Sequence, residues 1–102
     1  MAARHRVDGE RIREQVARDM ARVRVDMARG ADDMVRGAQQ MREEAQRLRD
    51  PAYRARQIEE QRQRGHTVTD QELLDAIPKM LDGADRMDEG AVRMRESARA
   101  GA

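Results

Sequence analysis

The side chains that could carry nucleophilic or metal chemistry are few in this chain, and they stand apart from one another. The two histidines, His5 and His66, have no histidine or cysteine partner at a helical ligand spacing, so no metal site is expected. Ser97 is the single serine and has no histidine near it to act as a base. The acidic residues fall on faces that we expect to be exposed, where tuning for acid–base catalysis is not favoured. We therefore predict no enzyme activity, no cofactor and no small-molecule substrate.

A group of arginines offers a different chemistry, the binding of phosphate groups. It precedes a turn and a capped helix, an arrangement that resembles a helix–turn–helix in outline. The start of that capped helix is acidic, with Asp70 and Glu72, and these carboxylates would repel phosphates. A nucleic-acid-associated regulator is therefore the alternative function. Its predicted contacts are Arg54, Arg56, Arg62 and Arg64.

The composition limits the remaining classes of function. The chain has 102 residues, 40% of them charged, with 1% aromatic residues and a net charge of +1. It has no cysteine, which excludes disulfides and thiolate chemistry. No apolar stretch is long enough for a signal peptide or a membrane span. We expect a cytoplasmic protein, unless the chain is a piece of a longer one.

Methionine recurs every seven residues in two stretches of the chain. The first series runs from Met20 to Met41 and continues at Leu48, and the second runs from Leu73 to Met94. An apolar residue at every seventh position is typical of a long helix that buries one narrow face against another helix. The high charge would also suit a disordered chain, but this regular period argues for helices.

The two series belong to an internal repeat. Residues 27–46 and 80–99 are identical at eleven of twenty positions and share the unit M-x-x-G-A-x-x. Glycine weakens a helix by about 1 kcal/mol relative to alanine, so four glycines in one register indicate close approach of two backbones, with methionine filling the gaps. Biased composition is the alternative explanation. The predicted seam comprises Met20, Met27, Gly30, Met34, Gly37, Met41, Leu48, Met80, Gly83, Met87, Gly90 and Met94.

Local signals divide the chain into three helices. Asp50 is placed as an N-cap before Pro51, which suits the first position of a helix. Thr69 and Glu72 match the capping box at the start of another helix, and Pro78 predicts a kink or a helix boundary near Ile77. The predicted organisation is a flexible basic arm at 1–9, helices at about 10–49, 51–64 and 70–99, and a frayed tail at 100–102.

The charges are unevenly distributed along these helices. Residues 1–24 carry a net charge of +3, and residues 68–102 carry −3. A basic N-terminal part and an acidic C-terminal part favour antiparallel packing of one on the other, or head-to-tail association between chains. A solvated surface with an unplanned bias is the simpler alternative.

One family resemblance covers residues 27–99. The segments R-L-R-D-P-A-Y-R-A-R-Q-I and V-T-D-Q-E-L, flanked by the methionine heptads, resemble the charged helical tails of BlaR1-like sensor peptidases. The H-E-x-x-H motif of the peptidase is absent from this chain. The resemblance therefore implies a signalling or interaction tail without protease activity.

The sequence as a whole predicts an all-α fold: an antiparallel hairpin of long helices, or coiled-coil-like bundle, with a short central helix. The predicted function is non-catalytic helix-mediated assembly, as an adaptor, scaffold or regulatory partner that pairs through the seam. The partner is expected to be a second copy, giving a dimer or four-helix bundle, or another helical protein.

Overall fold

Three helices make up the part of the chain that the structure describes. The computed structural model describes the backbone of residues 2–100 and the side chains of residues 9–100. The helices are α1 (Ala2–Arg47), α2 (Pro51–Gln63) and α3 (Asp70–Ala100). No strand occurs within residues 2–100. The predicted all-α hairpin with a short central helix is confirmed.

The hairpin is a rod, with α1 and α3 packed antiparallel along its length. Its principal extents are 76 × 27 × 14 Å, and its radius of gyration is 23.2 Å. A compact domain of this chain length would have a radius of gyration of about 13 Å. The long interface between α1 and α3 therefore provides most of the tertiary packing, and α2 adds a smaller contact with α3.

The start of α1 differs from the prediction. The helix begins at Ala2 rather than at residue 10, so the predicted flexible arm is helical over residues 2–9. Alanine and arginine are good helix formers, and the single glycine, Gly9, costs only about 1 kcal/mol, which is too little to end a long helix. The predicted fraying at 100–102 falls mainly on residues 101 and 102, which lie outside the described residues.

Both ends of α2 follow the local signals of the sequence. The Asp50 carboxylate accepts a hydrogen bond from the Ala52 amide at 3.0 Å, with Pro51 at the first helical position. At the other end Gly65 takes a positive φ of 84°, which favours glycine. The His66 amide donates to the Gln61 carbonyl at 2.8 Å, and the Gly65 amide donates to a carbonyl in the last turn. This pattern is the Schellman C-cap.

The capped start of α3 is also present. The Thr69 hydroxyl accepts a hydrogen bond from the Glu72 amide at 3.1 Å, and two acidic residues in the first turn suit the positive end of the helix dipole. The helix then continues through Pro78, so a helix boundary near Ile77 is wrong. A proline inside a helix costs about 3 kcal/mol, and the packing of α3 along α1 offsets that loss.

Candidate interaction site

Each of four seam glycines faces a methionine of the opposite helix. A Cβ atom added at any of them would lie 2.8–3.3 Å from the methionine sulfur or terminal methyl group. The two residue numbers of every pair add up to 124, so α1 and α3 keep one antiparallel register. Both helices supply glycines and both supply methionines. The pairs are Gly30 with Met94, Gly37 with Met87, Gly83 with Met41, and Gly90 with Met34.

Alanine occupies the most buried positions of this interface. Five alanines have 0–1% of their surface exposed, whereas the seam methionines are only half-buried. Because alanine is small, its complete burial on both helices requires the backbones to lie close together. In the sequence, four of these alanines directly follow a seam glycine, and the fifth follows Glu44, which occupies the glycine position of its heptad. These residues are Ala31, Ala38, Ala45, Ala84 and Ala91.

The remaining seam residues occupy different environments. Leu48 is buried where α1 ends, with 4% of its surface exposed. Met80 is half-buried on α3, and Met27 lies near the end of α3, beside Ser97. Met20 has 47% of its surface exposed. The Gly/Met pairing therefore covers the middle of the predicted seam, and Met20 lies beyond the paired part.

Enlarging the paired glycines should weaken the hairpin. The double change Gly37→Leu with Gly90→Leu should lower the free energy of unfolding by about 1–3 kcal/mol, because displacement of both facing methionines outweighs the roughly 1 kcal/mol of helix stability gained at each replaced glycine. Thermal unfolding followed by circular dichroism measures this. Gly9→Leu, measured at concentrations where the chain does not self-associate, is the control, since within one chain a Cβ there meets nothing within 4 Å. A double variant as stable as the wild type would contradict the pairing.

Ion pairs between the helices lie beside the seam. Arg42 contacts Asp85 at 2.9 Å and Asp88 at 2.7 Å, and Arg95 contacts Asp32 at 3.0 Å. The hydrogen bonds that Arg42 donates to the carboxylates of Asp85 and Asp88 raise the pKa of Arg42. All of these side chains are more than a third exposed, so each pair adds little stability. Their main effect is on register, because a slip would separate the opposite charges.

Arg54 joins all three helices at one end of the rod. Its side chain is 9% exposed. The guanidinium donates to the Asp70 carboxylate at 2.7 Å and to the Leu48 carbonyl, also at 2.7 Å. These bonds connect α2 to the start of α3 and to the residue that follows α1. Arg54 is therefore committed to internal contacts and is not presented to a phosphate group.

The other three arginines of the nucleic-acid alternative remain exposed. The Arg56 guanidinium lies 5.9 Å from the centre of the Tyr53 ring, and Arg62 pairs with Glu59 at 3.0 Å. With Arg54 buried, the predicted arginine surface is reduced to Arg56, Arg62 and Arg64. The nucleic-acid alternative stays a prediction with a weaker basis.

Tyr53 connects α2 to α1 through a hydrogen bond. This contact should make the stability of the protein decrease at alkaline pH. The Tyr53 hydroxyl lies 2.8 and 2.9 Å from the two carboxylate oxygens of Glu44, and this hydrogen bond raises the pKa of Tyr53 above its ordinary value of 10.0. The neutral hydroxyl is the donor. Its contribution to stability is therefore complete below about pH 10 and is lost as the pH rises through the raised pKa.

A spectroscopic titration tests this contact, because Tyr53 is the only tyrosine. We expect the tyrosinate absorbance of the folded protein to appear with a midpoint above pH 10. Glu44→Gln keeps an acceptor but removes the negative charge, so its midpoint should be lower. Identical midpoints in the two proteins would mean that the contact with Glu44 is absent in solution.

The first part of α1 extends beyond α3 and carries an exposed apolar strip. In the common register, the last described residue of α3, Ala100, lies opposite residue 24. Residues 9–23 of α1, which we term the overhang, have no described residue of α3 opposite them in this register. Four large apolar side chains on it are 47–64% exposed. These residues, termed the strip, are Ile12, Val16, Met20 and Val23.

The strip is a continuation of the seam. Met20 stands seven residues before Met27, and Val16 and Val23 occupy the heptad position that Gly30 holds further along. Where α3 ends, a depression of about 200 Å³ is lined by Met20, Val23, Arg24, Met27 and Ser97. One apolar line therefore passes from the covered part of α1 to its uncovered part.

The described residues offer little support for other kinds of site. No helix among them is long and apolar enough to cross a membrane. No group of three potential ligands among them is arranged to hold a metal ion. Comparison of the chain with protein-family models, curated proteins and solved structures finds no match. The resemblance to BlaR1-like tails stays a prediction.

Proposed function

We propose that this chain is a non-catalytic helical assembly module in which the overhang of α1 binds another helix. The observation that carries this proposal is the strip, whose four large apolar side chains remain 47–64% exposed. Burial of apolar surface contributes roughly 25 cal/mol per Å². A partner that covers these side chains would therefore gain more here than at the charged surface of the rest of the rod.

The kind of partner follows from the shape of the strip. It is about one side chain wide, and Val16, Met20 and Val23 follow heptad spacing, which suits a single helix laid along α1. Its chemistry also differs from the hairpin interface, because valine replaces glycine at Val16 and Val23. A partner would pack at a greater distance around these valines than α3 does beside Gly30.

The hairpin has a supporting role in this proposal. The Gly/Met pairs and the buried alanines are occupied by contacts within the chain, so they are not available to a partner unless the hairpin opens. We therefore place the site of assembly at the uncovered end of the seam and not at its middle. The interface with α3 fixes the direction in which the overhang projects.

Site-specific photo-crosslinking tests this function. A photoreactive amino acid at Val16 should give covalent products with a helical segment, in cells that make the chain. The same amino acid at Val92 is the matched control, because Val92 is a similarly exposed valine (51%) on α3, away from the strip. Mapping the attached residue by mass spectrometry identifies the segment. An unreactive Val16 position, or equal products from both positions, would contradict the proposal.

A further inference from the structure

We infer that the helix bound by the overhang is the overhang of a second copy of this chain, running antiparallel to the first. This inference rests on the proposed function and names its partner. It starts from the four pairs in the hairpin in which a seam methionine faces a seam glycine. The overhang carries one unpaired example of each residue.

The two unpaired residues are Gly9 and Met20. Gly9 stands three heptads before Gly30, at the same heptad position, and a Cβ added to it would meet nothing within 4 Å. Met20 stands one heptad before Met27 and is 47% exposed. Within one copy they lie on the same helix, eleven residues or about 16 Å apart, and cannot pair. Two antiparallel copies bring Met20 of each onto Gly9 of the other.

The charges of the overhang fit the same register. In the hairpin, the two residue numbers of each Gly/Met pair add up to 124. Those of the ion pairs Arg42–Asp85 and Arg95–Asp32 add up to 127. In the hairpin, these ion pairs therefore have residue numbers that add to three more than those of the Gly/Met pairs. The residue numbers of Met20 and Gly9 add to 29. The corresponding ion-pair sum between the two copies is 32, which places Glu14 opposite Arg18 of the second copy. Both side chains are 67% exposed, and within one chain they also contact each other at 3.5 Å. The two-fold symmetry supplies this pair twice.

The residues that lie between the Met20–Gly9 contacts are compatible with this antiparallel pairing. Val16 would face Arg13 of the second copy, whose aliphatic stem can cover the valine while its guanidinium stays in water. In this register, residues 2–5 of the second copy lie opposite residues 24–27, the stretch of α1 that the last turn of α3, residues 97–100, also faces. Pairing of the copies therefore requires one of these two helix ends to move aside. Both copies use the same surface of α1, as a two-fold interface requires.

Directed disulfide formation tests the register, because the described part of the chain has no cysteine. Gly9→Cys and Met20→Cys chains are made separately and mixed under mild oxidation. We expect a disulfide between the two different variants, since it needs Cα atoms within about 7 Å. Each variant alone should remain largely uncrosslinked. Disulfides within the Gly9→Cys or the Met20→Cys sample would indicate parallel pairing and overturn the inference. Val92→Cys is the control for random collision.

A charge exchange gives an independent readout that does not require a covalent bond. Glu14→Arg and Arg18→Glu each place like charges across the proposed interface, so each variant alone should self-associate roughly tenfold more weakly than the wild type. Mixing them restores two attractive pairs, although the contact between residues 14 and 18 within each chain remains repulsive. Recovery of the paired mass in the mixture supports the inference, and its absence overturns it.

The outcomes separate this inference from the proposed function. If the cysteine variants do not crosslink and the charge variants do not recover, but Val16 attaches to a helix of a different protein, the second copy is the wrong partner and the assembly function stands. If Val16 gives no product at all, both fail.

Discussion

Replacing Ala38 or Ala84 with leucine should lower the free energy of unfolding by about 1–3 kcal/mol at each site. Both alanines have 0% of their surface exposed, so the three added carbon atoms would have no free volume to occupy. The hairpin has one main interface, and the two helices would have to separate locally to admit the larger side chain. Chemical unfolding of each variant, followed by circular dichroism, measures the loss.

Ala28→Leu is the control for this effect. Ala28 lies on α1 but is exposed, and leucine forms helices almost as well as alanine. Its free energy of unfolding should stay within about 0.5 kcal/mol of the wild type. If leucine at Ala38 or Ala84 is tolerated as well as leucine at Ala28, the close packing of α1 on α3 is not the solution structure.

Removing the carboxylate of Asp70 should cost about 2 kcal/mol, because it leaves the buried Arg54 guanidinium without its charged partner. The Arg54 side chain is 9% exposed and Asp70 is 55% exposed. Most of the lost stability therefore comes from leaving the Arg54 charge buried without a partner. Chemical unfolding of Asp70→Ala measures it. Asp75→Ala is the control, since Asp75 is exposed and accepts a hydrogen bond from the exposed Gln71 within the same helix.

The coupling between these residues provides a stricter test. In the double variant, Arg54→Met with Asp70→Ala, the buried charge is absent, so the combined loss should be smaller than the sum of the two single losses. Strictly additive losses would mean that Arg54 and Asp70 do not interact in solution. The buried assignment of Arg54 would then be wrong, and its role as a nucleic-acid contact would regain support.

The sequence predicted the ends of α2 and the start of α3 within one residue, because capping is local chemistry. Asp50, Pro51, Gly65 and Thr69 each satisfy backbone groups within a few residues of themselves. The start of α1 was missed because no cap or proline marks it, and helix propensity alone then determines where such a helix begins.

Contacts between distant residues could be predicted only in part. The heptads identified the apolar face, but their spacing does not say which residues meet, so the pairing of Gly30 with Met94 required the register. Arg54 looked like its neighbouring arginines in the sequence, and its burial arises only where all three helices converge. The overhang likewise follows from the register and from the different lengths of α1 and α3.

The central claim is that the hairpin forms within one chain and that copies associate through the overhang. Light scattering after size exclusion, with circular dichroism on the same samples over a dilution series, tests it most directly. We predict a mass that falls from two chains to one chain of 11.7 kDa, while most of the helicity remains, because the interface between α1 and α3 does not depend on concentration. A loss of helicity in parallel with the mass would mean that the seam pairs between chains. A mass of one chain at every concentration would contradict self-association.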